Sequence, residues 1–148
     1  NIYVADWKND RVQKFTPEGE YLASFGSSGT GDGQLSAPTG VAIDTDGDVY
    51  VTDWGNDRLN TYAPDGTFIT SFIGDAERLS PWSEESVQAS PDYIKARKRV
   101  DLTEEWRFKR PAAVNVDSEG RIMVLETVRA RIQVYIKEPT WVDAQFNL

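Results

Sequence analysis

The chain has 148 residues, a formal net charge of −8, and neither cysteine nor histidine. Its length suits one ordinary domain with a real core, and the lack of cysteine excludes a disulfide framework. The acidic balance argues against a general nucleic-acid partner, whose phosphates would be repelled, and no apolar run approaches the roughly 20 residues of a membrane span.

Two copies of one pattern occupy the first half of the chain. The first covers residues 2–25, and residues 46–72 repeat it after a spacing of about 47 positions. Each copy predicts short β-strands joined by a polar loop and by a tight turn that contains Glu-Gly or Asp-Gly. A period of this size is typical of the repeats that form propeller blades. The corresponding residues are Asp6 and Asp53, Arg11 and Arg58, and Gly19 and Gly66.

A third, more divergent copy covers residues 120–135, after an insertion of about 26 residues. Glu126 takes the place of Asp53 in this copy, and Arg131 takes the place of Arg58. Residues 38–44 and 111–117 precede the second and third copies and supply a further strand to each. Each full unit is therefore predicted to be a meander of four strands, of which the first copy lacks the opening one.

The distribution of apolar residues predicts how these strands are buried. Apolar residues are continuous at 2–4, 49–51 and 122–124, which indicates strands buried on both faces. They alternate at 58–62 and 131–135, which predicts half-exposed strands. A lone four-stranded meander cannot bury both its faces, so such units must stack side by side. We therefore expect an all-β fold of about three antiparallel β-propeller blades with a short helical insertion.

The second copy resembles the repeat of the NHL family. The family pattern is a Pro-x-Gly-Val-Ala-aliphatic-Asp strand, an Asp-Gly turn, an aliphatic-Tyr-Val-x-Asp strand, and Asn-x-Arg-aliphatic followed by Phe or Tyr. These parts correspond to residues 38–44, 46–47, 49–53 and 56–62. The resemblance implies a six-bladed, TolB-like propeller. It implies no single function, because the family includes RNA-binding, protein-binding and lyase members.

These patterns divide the chain into a partial blade at 1–26, a full blade at 38–73, a helical insertion at 75–109 and a third blade at 111–148. Propellers usually carry about four to eight blades, so three do not close a ring. Either the chain is a piece of a longer one, or copies of it assemble. We favour a two-fold homodimer with six blades, because open blade edges leave backbone groups unpaired.

Three local motifs carry both a structural and a chemical interpretation. Residues 26–36 form a glycine-rich connector that lacks the Lys-Ser/Thr ending of a phosphate-binding loop. Residues 44–48 superficially resemble a calcium loop, but their spacing favours a hairpin turn. The paired Asp or Glu and Arg residues favour a structural clamp, because a carboxylate repeated in every blade suits a scaffold better than a single active centre.

The insertion breaks the strand pattern. Ser80-Pro81 and Ser90-Pro91 each predict an N-cap followed by proline at the first helical position. Helices are expected near 81–88 and 91–99, and a further turn near 103–106. We interpret the basic residues here as balancing nearby carboxylates and helix ends, with an anion or partner contact as the alternative. They are Lys95, Arg97, Lys98, Arg99, Arg107, Lys109 and Arg110.

A candidate binding face follows from the geometry of a meander. The loop between the second and third strands and the connector to the next blade return to the same face. Aromatic and Arg side chains among polar groups are typical of binding surfaces, although packing between blades is the alternative for the tryptophans. The candidate ligand-binding residues are Trp7, Asn9, Trp54, Asn56, Arg129, Trp82, Tyr93 and Trp106.

The expected function is that of a non-enzymatic scaffold that binds a protein, peptide or small ligand, with neither nucleic acid nor a membrane as partner. The alternative is a propeller enzyme of the lyase or lactone-hydrolase type, in which carboxylates could hold calcium. No catalytic residue and no cofactor is assigned, since the lack of histidine disfavours the usual zinc sites.

Overall fold

The computed structural model describes residues 1–75 and 79–137 of the chain. Within them, ten β-strands form three antiparallel sheets. The first sheet contains β1 (Ile2–Asp6), β2 (Arg11–Phe15) and β3 (Tyr21–Phe25). The second contains β4 (Pro38–Ile43), β5 (Val49–Asp53), β6 (Arg58–Tyr62) and β7 (Phe68–Phe72). The third contains β8 (Pro111–Val116), β9 (Arg121–Glu126) and β10 (Arg131–Ile136).

Each sheet is a meander in which strands adjacent in sequence are hydrogen-bonded neighbours. The second sheet has all four strands of a propeller blade, and the other two have three each within the described part of the chain. Residues 138–148, which belong to the third blade predicted at 111–148, lie outside the described residues. The all-β arrangement of blades with a helical insertion is the one that the sequence predicts, and we refer to the three sheets as blades one, two and three.

The blades stack through two apolar cores. Alternate residues of β5 point to opposite faces of blade two, so Val49 and Val51 pack towards blade one while Tyr50 packs towards blade three. The first core consists of Val12, Phe25, Leu35, Val49, Val51 and Tyr62. The second core consists of Tyr50, Leu59, Phe108, Ile122 and Val124.

Burial follows position in the stack more than the local pattern. The prediction that 49–51 is buried on both faces is confirmed, since every residue of β5 is buried. The same prediction is wrong for 2–4, because Ile2 and Val4 are 47% and 42% exposed on the face that points away from blade two. The prediction that 58–62 is half-exposed is also wrong, because neighbouring segments cover both faces of β6.

The insertion contains α1 (Pro81–Gln88), α2 (Pro91–Arg97) and α3 (Thr103–Trp106), at the positions that the sequence predicts. Ser80 caps α1 by accepting a hydrogen bond from the backbone N–H of Ser83 at 3.3 Å, whereas Ser90 stands at the N-cap of α2 without such a bond. None of the helices in the described ranges has the length and apolar character needed to cross a bilayer.

Candidate functional site

The loop between β1 and β2 of blade one has the same conformation as the loop between β5 and β6 of blade two. Both are the loop between the second and third strands of the four-stranded repeat, of which blade one lacks the first strand. Each is a single 3-10 turn, formed by Trp7–Asn9 and by Trp54–Asn56. Each turn ends in a left-handed aspartate, Asp10 with φ 50° and Asp57 with φ 55°. Aspartate tolerates this conformation better than most residues do, and the loops place the repeat-specific polar residues at the same end of each blade.

Asp53 is the buried centre of the loop in blade two. Its side chain is fully buried, and its Oδ1 accepts a hydrogen bond from the backbone N–H of Ser36 at 2.7 Å. Its Oδ2 accepts from Arg58 Nε and from Asn56 Nδ2, both at 2.8 Å. Both carboxylate oxygens are therefore engaged in contacts that hold the loop and the connector together.

Glu126 repeats this arrangement in blade three. Its Oε1 accepts from the backbone N–H of Lys109 at 2.7 Å, while its Oε2 accepts from Arg131 Nε and from Gln133 Nε2. The extra methylene of glutamate is accommodated without loss of the pattern. These contacts match the structural clamp that the repeated pairs predict.

The arginine of each clamp also fixes the preceding connector. Arg58 donates to the carbonyl oxygens of Thr30, Gly31 and Gln34 at 3.1, 2.9 and 2.7 Å. Arg131 likewise donates to the carbonyl oxygen of Trp106 at 3.1 Å. The glycine-rich connector thus presents carbonyl oxygens to an internal arginine, which supports its interpretation as a linker.

The left-handed aspartates join one blade to the next, a role that the sequence interpretation missed. Asp10 Oδ1 accepts from the backbone N–H of Ala37 at 2.7 Å, and Asp57 Oδ1 accepts from that of Arg110 at 2.8 Å. Lys109 Nζ lies 2.6 Å from Asp57 Oδ2. Burial alone would raise the pKa of Asp57, but the hydrogen bonds from Lys109 and Arg110 lower it below its ordinary value.

The polar residues among the predicted site residues are engaged within the protein. Asn9 Nδ2 donates to Asp6 Oδ1 at 2.8 Å, and Asn56 Nδ2 donates to the carbonyl oxygen of Gly29 at 2.9 Å as well as to Asp53. Arg129 Nη1 donates to the carbonyl oxygens of Glu105 and Arg107 at 2.6 and 2.7 Å. These three side chains stabilise loops and the end of the insertion.

The predicted aromatic residues fall into two groups. Trp54 and Trp106 are half-buried, and each is covered by an arginine, with Arg110 at 3.9 Å from the Trp54 ring and Arg97 at 5.9 Å from the Trp106 ring. The other three are exposed: Trp7 by 51%, Trp82 by 77% and Tyr93 by 63%. Trp54 therefore contributes to packing, Trp106 is covered by Arg97 on one side only, and the exposed three remain available for contacts.

A cavity of about 410 Å³ lies among the helices of the insertion. Trp106 is one of its walls and the only predicted site residue among them. The sequence interpretation missed the other apolar walls, for which the spacing of Val87, Ile94 and Leu102 within the helical region was the available signal. The charged walls are Glu84, Arg97 and Lys98, and the remaining walls are Leu79, Val87, Gln88, Ile94 and Leu102.

The stretch that resembles a calcium loop is a hairpin turn, as predicted. Asp44 Oδ1 accepts from the backbone N–H groups of Asp46 and Asp48, both at 2.9 Å. The ammonium group of Lys137 lies 2.7 to 2.9 Å from all three carboxylates. The positive charge that these aspartates attract is therefore supplied by the protein itself.

Comparison with known proteins agrees with the blade geometry of this part of the chain. Residues 35–59, which run from the connector through β4 and β5 into β6, match the NHL repeat. The chain carries an NHL repeat. The matched residues include Asp53 and Arg58, so the buried clamp of blade two lies within the stretch that matches the repeat. No curated protein sequence matches the chain.

Two solved structures from one organism share the fold at low sequence identity. A structural genomics protein of unknown function from Bacteroides thetaiotaomicron superposes with a TM-score of 0.62 and 22% identity, covering 90% of this chain and 32% of that one. An auxiliary nutrient binding protein from the same organism superposes with a TM-score of 0.55 and 16% identity, covering 89% of this chain and 33% of that one. Virginiamycin B lyase from Staphylococcus aureus superposes with a TM-score of 0.49 and 13% identity, covering 93% of this chain and 38% of that one. The chain spans about a third of the length of these proteins.

Proposed function

We propose that the chain is a non-enzymatic NHL-type binding domain. The face formed by the loops between the second and third strands and by the helical insertion binds a protein, peptide or small ligand. The cavity bounded by Trp106, Ile94 and Leu102 is the centre of this site, and the exposed Trp82 and Tyr93 lie on the helices beside it.

The observation that carries this proposal is the composition of the insertion cavity. Four aliphatic side chains and one tryptophan form about half of its wall, and the polar half consists of Glu84, Gln88, Arg97 and Lys98. Apolar walls with a few charged groups are characteristic of ligand sites, and about 300–1,000 Å³ is their usual size. Arg97 is paired with Glu105 at 2.8 Å, so Lys98 is the wall cation to which the anionic group of a ligand with an apolar body would bind.

The state of the repeated carboxylates supports binding over catalysis. An acid or base must reach a substrate proton, whereas the oxygens of Asp53 and Glu126 are taken up by backbone N–H groups and by arginines. Their side chains are fully buried. A structural role accounts for all of these contacts.

The test uses 8-anilinonaphthalene-1-sulfonate, an aromatic anion, as the probe in a fluorescence titration. Ile94 lines the cavity, so Ile94→Asp places a negative charge where the sulfonate should bind. We expect about a tenfold loss of affinity, as a buried unpaired charge opposes the probe. Ala96→Asp is the matched control, because Ala96 is an exposed residue of the same helix outside the cavity wall.

Equal affinity in the wild type and both variants, with helix content unchanged by circular dichroism, would contradict this location.

The enzyme alternative is tested separately by calorimetric titration with calcium and an assay of lactone hydrolysis. Saturable calcium binding that supports turnover, and that Asp48→Asn abolishes, would overturn the non-enzymatic assignment.

We further propose that the outer faces of blades one and three meet in a pair of chains. Ile2 and Val4 correspond to Val49 and Val51, which pack against the preceding blade. Ile132 and Val134 lie on the opposite face of blade three and correspond to Leu59 and Thr61, which blade two directs at the next blade. The two exposed apolar faces are therefore complementary in the manner of the internal interfaces, and two copies would close a six-bladed ring.

A further inference from the structure

A second cavity, of about 200 Å³, lies between blades two and three. It is separate from the insertion cavity and shares no wall residue with it. Three aromatic side chains and two isoleucines make its lining largely apolar. The lining residues are Asp48, Tyr50, Thr61, Thr70, Phe72, Ile122, Tyr135, Ile136 and Lys137.

The cavity exists because one repeat position differs between blades. Lys14 pairs with Tyr3 across blade one, and Thr61 pairs with Tyr50 at the same position of blade two. Between blades one and two, the long stem of Lys14 crosses the interface, and its Nζ donates to the carbonyl oxygen of Pro64 at 3.0 Å. The short side chain of Thr61 leaves the corresponding space between blades two and three unfilled.

Thr61 also brings an unpaired polar atom to this space. It is 3% exposed, and its Oγ1 has no hydrogen-bond partner among residues 1–75 and 79–137. The two tyrosine walls are paired: Tyr50 donates to Asp44 at 2.9 Å, and Tyr135 donates to Gln133 at 2.6 Å. A buried hydroxyl without a partner destabilises the fold, so each such group in a structure requires an explanation.

We propose that this cavity binds a single aromatic ring that carries a hydroxyl group, a phenol, with Thr61 Oγ1 as its hydrogen-bond partner. An apolar cavity of about 150 Å³ accommodates benzene, so the available volume suits one ring with a small substituent. Phe72 and Tyr135, with ring centroids 5.7 Å apart, offer the aromatic contacts that such a ring favours. This site is independent of the proposed function in the insertion.

Phenol and toluene are the paired probes, because they share a ring and differ in the hydroxyl. Binding is followed by methyl NMR of isoleucine, in which Ile122 and Ile136 line the cavity and Ile43 on β4 is the internal control. We expect both probes to shift the first two signals in a saturable way, with phenol bound about 3- to 10-fold more tightly because of one hydrogen bond.

Thr61→Val keeps the shape of the side chain and removes the hydroxyl. It should abolish the preference for phenol while toluene still binds, and Thr61→Ser should keep the preference. Thr30→Val is the matched control, since it makes the same change at an exposed position of the connector. Thr61→Val should also raise the thermal midpoint without probe, because it removes the unpaired hydroxyl.

Three results would overturn the proposal. They are equal affinity for phenol and toluene in the wild type, an unchanged preference in Thr61→Val, and shifts at Ile122 that do not saturate with either probe. In the last case the cavity holds water, which then pairs with Thr61.

Discussion

At the residue scale, the two equivalent aspartates Asp6 and Asp53 differ in what surrounds them. Each accepts from an arginine five positions later, at 2.9 Å for Arg11 and 2.8 Å for Arg58. The side chains of Arg11 and Arg58 are 40% and 11% exposed, respectively. An exposed ion pair contributes little to the stability of the fold. A buried charge left without its partner, by contrast, is strongly destabilising.

We predict that Asp53→Ala lowers the free energy of unfolding by about 3–5 kcal/mol, since it leaves Arg58 buried and unpaired. Asp6→Ala is the control at the same repeat position, and its loss should be clearly smaller. Urea denaturation of the two variants measures the difference. Equal losses would mean that the burial of the clamp in blade two contributes nothing.

Asp57 gives a prediction for the pH dependence of stability. Its pKa is lowered in the folded protein, because hydrogen bonds from Lys109 and Arg110 outweigh the effect of burial. A lowered pKa means that the stabilisation is present above the ordinary carboxyl value of about 4 and is lost as the pH falls through the folded pKa. Asp57→Asn should therefore reduce the loss of stability on acidification, because asparagine does not titrate and still accepts the left-handed conformation.

The measurement is the free energy of unfolding between neutral pH and the acid limb. Asp32→Asn, which makes the same change at an exposed position of the connector, provides the comparison. If Asp57→Asn followed the wild-type curve throughout, the lowered pKa of Asp57 would not contribute to the acid sensitivity.

At the scale of the element, the hairpin turns serve two purposes. Gly19 and Gly66 occupy equivalent turns and have φ of 91° and 92°, a region that side chains disfavour. A Cβ on Gly19 would meet no atom within 4 Å, whereas a Cβ on Gly66 would lie 2.9 Å from Cβ of Phe25 in blade one. The turn of blade two is therefore also a contact surface for its neighbour.

We predict that Gly66→Ala and Gly19→Ala both lower the thermal midpoint, since alanine at positive φ destabilises by at least about 1 kcal/mol. The loss should be larger for Gly66→Ala, because the added methyl group must displace Phe25. Thermal denaturation followed by circular dichroism compares the two. A larger loss for Gly19→Ala would contradict the packing of this turn against blade one.

The helical insertion depends both on local sequence, which starts its helices, and on tertiary contacts, which fix its end. Its first two helices, α1 and α2, begin at prolines that follow a serine. Its end is fixed by the buried Phe108, whose N–H donates to the carbonyl oxygen of Ile73 at 2.8 Å. Carbonyl oxygens of α3 and of the residue after it accept from Arg129 and Arg131. The insertion is thus attached to blade three through its backbone.

At the scale of the whole molecule, the proposed pairing of two chains depends on the outer faces of blades one and three. We predict a particle of twice the chain mass in static light scattering, because pairing covers the apolar faces that include Val4 and Val134. Val4→Asp and Val134→Asp should each reduce the mass to that of one chain. Tyr93→Asp, an equally charged change on α2 outside these faces, should not. A monodisperse wild-type particle of one chain mass would exclude the pairing.

The sequence predicted the blades well because their determinants are local. Asp46-Gly47 and Asp65-Gly66 define turns, and a strand such as 49–51 is marked by its own apolar run. The clamp was predicted because Asp53 and Arg58 recur in the repeat, whereas its burial was not predicted. The predicted binding residues fared differently: Asn56 and Arg129 are engaged within the protein, and Trp54 is covered by Arg110, contacts that depend on neighbouring segments.

By itself, the sequence determined the period of the chain, the meander of each blade, the position of the helices and the NHL repeat. Only the tertiary structure decided which faces are covered, that Asp10 and Asp57 join successive blades, and that a cavity remains beside Thr61. The physical reason is one of range: turns and strand patterns depend on residues a few positions apart, whereas burial and cavities depend on side chains that distant segments bring together.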